Sequence, residues 1–447
     1  MKRIFALGLS ALLLAGVLTS CVTMLPEEKL DGQLLDKGEE VKLDGHDLVG
    51  YAAANMEYPT CDPSGEDALP MSDAFVRAAA DFGWEMLKRQ EKGANTMISP
   101  VSLLYALGMT ANGASGETLS QMEDVLYGGI SADEANRYFL AFSQNLPDGD
   151  GGASLDIANS IWINTRNEHF VVREPFLETN RAYYGAGVFG RDFLDPATVP
   201  EVNKWVSDNT DGMIPSVISE LNEEDLMLLI NTVLFDGKWA QTYGEYDIRE
   251  MVFTNYDGST APAQMLCSEE WRHFSFGDGV GFVRPYAEKY SFVGILPEEG
   301  VDVYDYVQSF TGTNLVDAVT EAMKTPTGRE ALVRIPEFTF DYSTSAVESL
   351  AALGMTDAFT TAADFSRMGE AENGICIGDV IHKTRIELTR DGTKAAAVTA
   401  VVATATGAPV DYVPPVEIYL TRPFVFAIVD EETGLPIFSG IVTEIQE

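Results

Sequence analysis

Hydrophobic positions open the chain as a block. Lys2 and Arg3 precede an apolar run from Ile4 to Leu18, and Thr19-Ser20-Cys21 closes it. A basic start, a short apolar stretch and a small-residue end are the layout of a secretory leader, and the run falls short of the roughly 20 residues of a spanning helix. Residues 1–20 are expected to be that signal peptide. From Val22 to about Pro70 apolar residues thin out and show no period (Pro26-Glu27-Glu28-Lys29, Lys37-Gly38-Glu39-Glu40), so residues 21–70 are expected to be a tether with little packed structure. At Ser72 the pattern changes. Ser72-Asp73 can cap a helix whose apolar positions Phe75, Ala78, Phe82, Trp84, Met86 and Leu87 recur near a 3.6 period. Ser99-Pro100 starts a second through Leu103, Leu104, Leu107 and Met109, with Ser at the cap and Pro at the first position.

Beyond Asn112 helical and strand patterns mix without a strand–helix–strand rhythm. Strands are expected at Asp225–Phe235, Ser291–Leu296, Ala331–Ile335 and Pro423–Val429. No repeat or Pro-rich linker divides the remainder, so residues 71–447 read as one α+β domain.

Composition narrows the function. Lys plus Arg total 29 against 69 Asp plus Glu, a formal net charge of −40. No basic run offsets this, so nucleic acid and heparin-like polyanions are excluded as partners. The four cysteines, Cys21, Cys61, Cys267 and Cys376, are too sparse for a disulfide framework and lack zinc spacing. Leu18-Thr19-Ser20-Cys21 resembles the lipobox of bacterial lipoproteins. That resemblance implies acylation of Cys21, a lipid-membrane partner and secretion across the inner membrane to the cell envelope or surface. The chain has no nucleophile elbow, zinc-protease helix, phosphate loop or dinucleotide fingerprint, and its four histidines are scattered. Asp148-Gly149-Asp150-Gly151-Gly152 lacks the ligands of a calcium loop and reads as a solvated turn. No enzyme activity, metal or cofactor is implied.

One segment remains unexplained by these patterns. From Ala395 to Pro409 there is no charge and no large side chain, only Ala, Gly, Pro and β-branched residues. A half-buried strand would alternate large apolar with polar residues. Small residues on both faces suit a segment that must fit between two existing strands, and permanent exposure would make it an aggregation hazard. A closely covered central strand, or an Ala-rich helix, has the same pattern.

The flanking residues resemble the serpin family over nearly all of 72–447. Asn95-Thr96-Met97-Ile98-Ser99-Pro100-Val101-Ser102 with Gly113-Ala114-Ser115-Gly116-Glu117-Thr118, and Asn203-Lys204-Trp205-Val206 with Thr210-Asp211-Gly212-Met213-Ile214, are similar to its helical segments. Leu229-Ile230-Asn231-Thr232-Val233-Leu234-Phe235-Asp236-Gly237-Lys238-Trp239 resembles its central strand. Ile335-Pro336-Glu337-Phe338, Leu353-Gly354-Met355, Ala363-Asp364-Phe365-Ser366, Arg422-Pro423-Phe424 and Phe438-Ser439-Gly440 follow in order.

The resemblance implies three β-sheets, about nine helices and an exposed reactive loop near residues 390–415. It also implies a suicide inhibitor, monomeric, that forms a covalent acyl complex with a serine protease. The hinge would be Gly392, Thr393 and Ala395-Ala396-Ala397-Val398-Thr399. The shutter would be Ser99, Ser102, Asn231 and His382, and the breach residue Trp239. Two residues depart from the family: Arg390 and Lys394 stand where inhibitory members commonly carry Glu, the first of which normally makes a salt bridge near the top of the sheet. Counting from the hinge puts the scissile bond at Thr406-Gly407, bait for elastase-like or subtilisin-like proteases. Counting back from Pro423 puts it near Tyr412, bait for a chymotrypsin-like one. A non-inhibitory binding module and an inhibitor of papain-like cysteine proteases are the alternative functions.

Overall fold

The computed structural model describes residues 10–20, 41–43, 46–49, 57–65, 67–147, 149–167, 169–393 and 414–445. The first helix runs Asp73–Lys88, with the Ser72 hydroxyl accepting from the Phe75 N–H at 3.2 Å. The second runs Pro100–Ala111 and is capped by Ser99. It is buried on all sides, which is why its apolar residues show no single stripe. The four expected strands are Asp225–Lys238, Tyr290–Pro297, Ala331–Pro336 and Phe424–Asp430. Among the described residues there are nine α-helices.

The main sheet is eight-stranded. Across it lie Phe338–Ser345, Ile375–Thr389, a shared row, Asp225–Lys238, Ala153–Asn164, Gly187–Arg191 and Glu57–Tyr58. The row holds two short pieces end to end. Gly392–Thr393 occupies its top, pairing with Lys238 and Gly237 on one side and with Thr389 and Leu388 on the other. Below it the backbone of Ser10–Ser20 is antiparallel to both neighbours, opposite Phe235 to Asp225 and Arg385 to Ile375. The backbone of Ser10–Ser20 is therefore a strand of the main sheet, pairing the facing ladder groups of its two neighbours.

A six-stranded sheet (His273–Ser275, Gly279–Pro285, Tyr290–Pro297, Phe424–Asp430, Pro436–Val442, Thr96–Ile98) packs behind it. A four-stranded one (Ile248–Thr254, Thr260–Glu270, Ala331–Pro336, Val416–Tyr419) is the third. To these expected three the structure adds a small fourth sheet, formed by Gly369–Glu370, Val171–Arg173, His46–Val49 and Val41–Leu43. The tether expected over 21–70 is thus partly corrected. Glu57–Tyr58 edges the main sheet, and the Cys61, Ser64 and Leu69 amides bond to the carbonyls of Gly185, Ala182 and Arg137. Pairing here runs through backbone groups, so a polar, aperiodic sequence does not announce it. Cys61 and Cys267 are free thiols.

Two apolar clusters sandwich the main sheet. The larger lies between it and the six-stranded sheet. The smaller is made where the helix Thr198–Asp208 crosses the outer face: Val202 and Val206 pack with Trp162, Phe189, Leu228, Ile230 and Leu234. Asn203 anchors the chain after that helix, accepting from the Val217 and Ile218 amides at 2.7 and 3.1 Å and donating to the Ile218 carbonyl. Close backbone approach recurs at the crossing of Asp73–Lys88 with Gly312–Lys324, where a Cβ on Gly312 would lie 1.9 Å from the Ala80 carbonyl oxygen.

Candidate functional site

The site is the row between Asp225–Lys238 and Ile375–Thr389, with a polar cluster under its middle and an aromatic cluster at its top. In the middle, the structure brings together the four residues expected there. Ser99 donates its hydroxyl to the Ile437 carbonyl (2.8 Å) and accepts from the Ser102 amide. Ser102 Oγ donates to Asn231 Oδ1 at 2.6 Å, and the Ser99 amide donates to His382 Nε2 at 3.2 Å. All four are fully buried.

The sequence reading missed how far this network runs. Asn231 donates to Asn159 Oδ1 (2.9 Å), and Asn159 donates to the Tyr184 carbonyl (2.8 Å). The Tyr184 hydroxyl then meets Asn136, which exchanges bonds with Asn112. Buried Asn residues on strands and helices distant in sequence carry no local signal; only their low hydropathy within apolar stretches marks them.

Because Nε2 accepts, the His382 proton sits on Nδ1, and among the described residues the buried Nδ1 has no acceptor. Burial alone pushes the imidazole pKa down to about 3, so the ring is neutral. A buried donor left unpaired costs about 1–3 kcal/mol.

At the top, Trp239 donates Nε1 to the Thr389 carbonyl at 2.9 Å and stacks on Tyr286, centroids 4.6 Å apart and 6° from parallel. The Trp239 amide meets the Asp391 carbonyl. Tyr286 Oη and Thr393 Oγ1 are 2.6 Å apart, which fixes the fully buried Thr393 toward the core. Gly392 has φ +143°, and a Cβ there would stand 2.1 Å from the Gly237 carbonyl oxygen, so this hinge position requires glycine. Of the expected hinge, Ala395, Ala396, Ala397, Val398 and Thr399 lie outside the described residues, as do Lys394, the bait residues Thr406, Gly407 and Tyr412, and Cys21.

Arg390 departs from the family without losing a partner. Its amide donates to Glu337 Oε1 at 2.8 Å, and its guanidinium lies 4.0 Å from the same carboxylate. The ion pair at the top of the sheet is present with its cation on the loop side. Neither Glu337 nor Tyr286 was singled out for this role from sequence, since each meets its partner across more than fifty residues.

Two outcomes test this geometry. Arg390→Glu sets two carboxylates together and should lower the thermal midpoint by a few degrees, with Glu337→Lys restoring it; a pair worth about 0.5–1 kcal/mol is expected at this exposure. Additive effects of the two substitutions would show the pair to be inert. His382 is neutral when folded and protonates near 6.5 when unfolded. Its contribution is complete above pH 6.5 and is lost as pH falls toward 3, on the order of 5 kcal/mol in all. Denaturant unfolding measured from pH 7 to 4 should fall more steeply for this protein than for His382→Gln; parallel curves would refute a neutral buried ring.

The family model described as Serpin (serine protease inhibitor) matches residues 77–445. An uncharacterized serpin-like protein of Thermococcus kodakarensis is 29% identical over 373 residues, covering 82% of this chain and 84% of its own. Alpha-1-antitrypsin 1-3 of Mus musculus is 26% identical, covering 86% and 92%. The crystal structure of the thermophilic serpin Tengpin in its native state superposes with a TM-score of 0.77 at 37% identity, covering 86% of this chain and 98% of that one. Matched in sequence across both clusters and in fold across the whole domain, this chain belongs to the serpin family.

Proposed function

We propose that this serpin is a suicide inhibitor of serine proteases that admits its own cleaved loop into the row beneath Gly392–Thr393. Members of the family are generally protease inhibitors. The observation that carries the reading is the two-residue strand Gly392–Thr393, already paired on both sides at the top of that row. Continuing its register residue for residue sets Thr399 between Asn231 and His382. Alternation then turns Ala395, Ala397, Thr399, Val401, Ala403 and Ala405 toward the core with Thr393, and Lys394 toward the opposite face. Every core-facing residue is small, and the Thr399 hydroxyl arrives beside the Nδ1 proton that lacks an acceptor. The same register brings Ala405 opposite Asp225, the first residue of its strand.

Thr406-Gly407 is then the first bond beyond the end of the row, which supports it as the scissile bond. A cut at Tyr412 would leave six further residues, about 20 Å of slack chain, between row and enzyme. The protease serine Oγ would attack the Thr406 carbonyl carbon, forming an ester, and the Gly407 amine would leave with a proton from the protease histidine. Roughly a dozen ladder bonds gained on insertion, at about 0.5–1.5 kcal/mol each, amount to on the order of 10 kcal/mol. That energy can distort the acyl-enzyme before water reaches the ester. A Thr before the bond fits the shallow pocket of an elastase-like or subtilisin-like enzyme.

Insertion requires an empty row, and in the full chain Ser10–Ser20 fills it. Removal of residues 1–20 as a signal peptide would vacate it. The new terminus, Cys21, would carry acyl chains that hold the inhibitor at the bacterial envelope, since a body this acidic gains nothing from an anionic surface.

Mixing the processed protein with pancreatic elastase should give a complex that survives denaturing electrophoresis and a C-terminal fragment beginning at Gly407. Complete cleavage with no complex would instead make the protein a substrate-like binding module, and a complex formed only with papain would move the target to cysteine proteases. For the anchor, Cys21→Ala expressed in a bacterium should pass from the membrane fraction to the soluble fraction. Unchanged partition would end the lipidation reading.

A further inference from the structure

A cleft of about 670 Å³ opens over Arg284 and Tyr243, both of which contact the breach residue Trp239. Its size is that of a small-molecule site, commonly 300–1,000 Å³. The floor is Arg284, 5% exposed, held by the buried carboxylate of Glu270 and donating to the Gln241 carbonyl at 2.5 Å. The guanidinium lies between two rings, 5.2 Å from the centroid of Trp239 and 4.2 Å from that of Tyr243. Among the described residues its Nε is buried without a partner, whereas the Tyr243 hydroxyl, on a residue only 6% exposed, has the Ser268 hydroxyl of the same cleft beside it. A buried donor left unpaired on the floor is costly and calls for an occupant.

The rim carries two cationic side chains. Arg249 and Arg334 reach the cleft, and among the described residues neither meets a carboxylate. Arg334 Nη1 has only the Met251 sulfur at 3.0 Å, with its plane over Tyr419. Trp271 on the same rim is 52% exposed, a large apolar face presented to water. The acids that also line the cleft, Asp247 and Glu269, disfavour a ligand charged along its whole length.

We propose that this cleft binds an aromatic anion, a ring system with one carboxylate or sulfonate group. Its acidic group pairs with Arg249 and Arg334, where a planar guanidinium suits an oxyanion. Its ring lies against Trp271, and its inner end reaches the unpaired Nε–H of Arg284. Such a ligand also touches the loop's root, because the Tyr243 amide bonds to the Arg390 carbonyl and Arg284 stacks on Trp239.

The probe is 1-anilinonaphthalene-8-sulfonate, which has this chemistry and reports its own binding. Titrated into the folded protein, it should bind saturably at one equivalent with energy transfer from tryptophan. The thermal midpoint should rise with probe concentration, as mass action requires of native-state binding. Arg249→Ala with Arg334→Ala should weaken binding at least tenfold, and Trp271→Ala should weaken it and remove most of the energy transfer. Arg334→Gln, which keeps the side-chain length, supplies the comparison if the double variant melts early. No saturable binding to the native protein, or undiminished binding to the Arg334→Gln and Trp271→Ala variants, would overturn the proposal.

Discussion

Two long strands at the centre of this molecule, Asp225–Lys238 and Ile375–Thr389, are spaced one strand apart, and every ladder group along the row between them needs a partner. Strand pairing is obligatory for a buried backbone, so something must occupy that row or the strands must close on each other. At its top the row is filled by Gly392–Thr393 and below by Ser10–Ser20. The proposed inhibitory cycle is a change of occupant with the backbone chemistry held constant.

Everything around the row serves to fix its width. Under its middle the bonds from Ser99 to His382 and from Ser102 through Asn231 to Asn159 tie three strands to the helix Pro100–Ala111. At the top the Trp239–Tyr286 stack and the Arg390–Glu337 contact hold the first two residues of the loop in register. Across the outer face the helix Thr198–Asp208 covers the strands it would have to release. Such networks are weak in net energy and strong in geometry: each bond replaces one with water, yet none can be left open in a dry interior. That asymmetry makes a buried polar cluster a suitable latch.

Much of the architecture was legible because it rests on local patterns. Ser72 and Ser99 cap the helices their positions announced, and the four apolar runs became strands within a few residues of their expected ends. What failed to show was pairing made by backbone alone. The Cys61–Leu69 segment is held through backbone amides and carbonyls, so hydropathy could not distinguish it from a tether. The partners of the expected site residues were equally invisible. Asn159, Tyr286 and Glu337 have ordinary sequence surroundings and acquire their roles only by contact.

By itself the sequence determined the elements, the α+β fold class, the family and a run of small residues after Gly392, since each depends on side-chain period, size or order along the chain. The tertiary structure decided which groups face one another. It placed a carboxylate at Arg390 and, among the described residues, left His382 Nδ1 without an acceptor. Those facts depend on register and on contacts between residues far apart in sequence. A one-residue slip between strands would reverse the facing of every side chain while changing nothing in the sequence pattern.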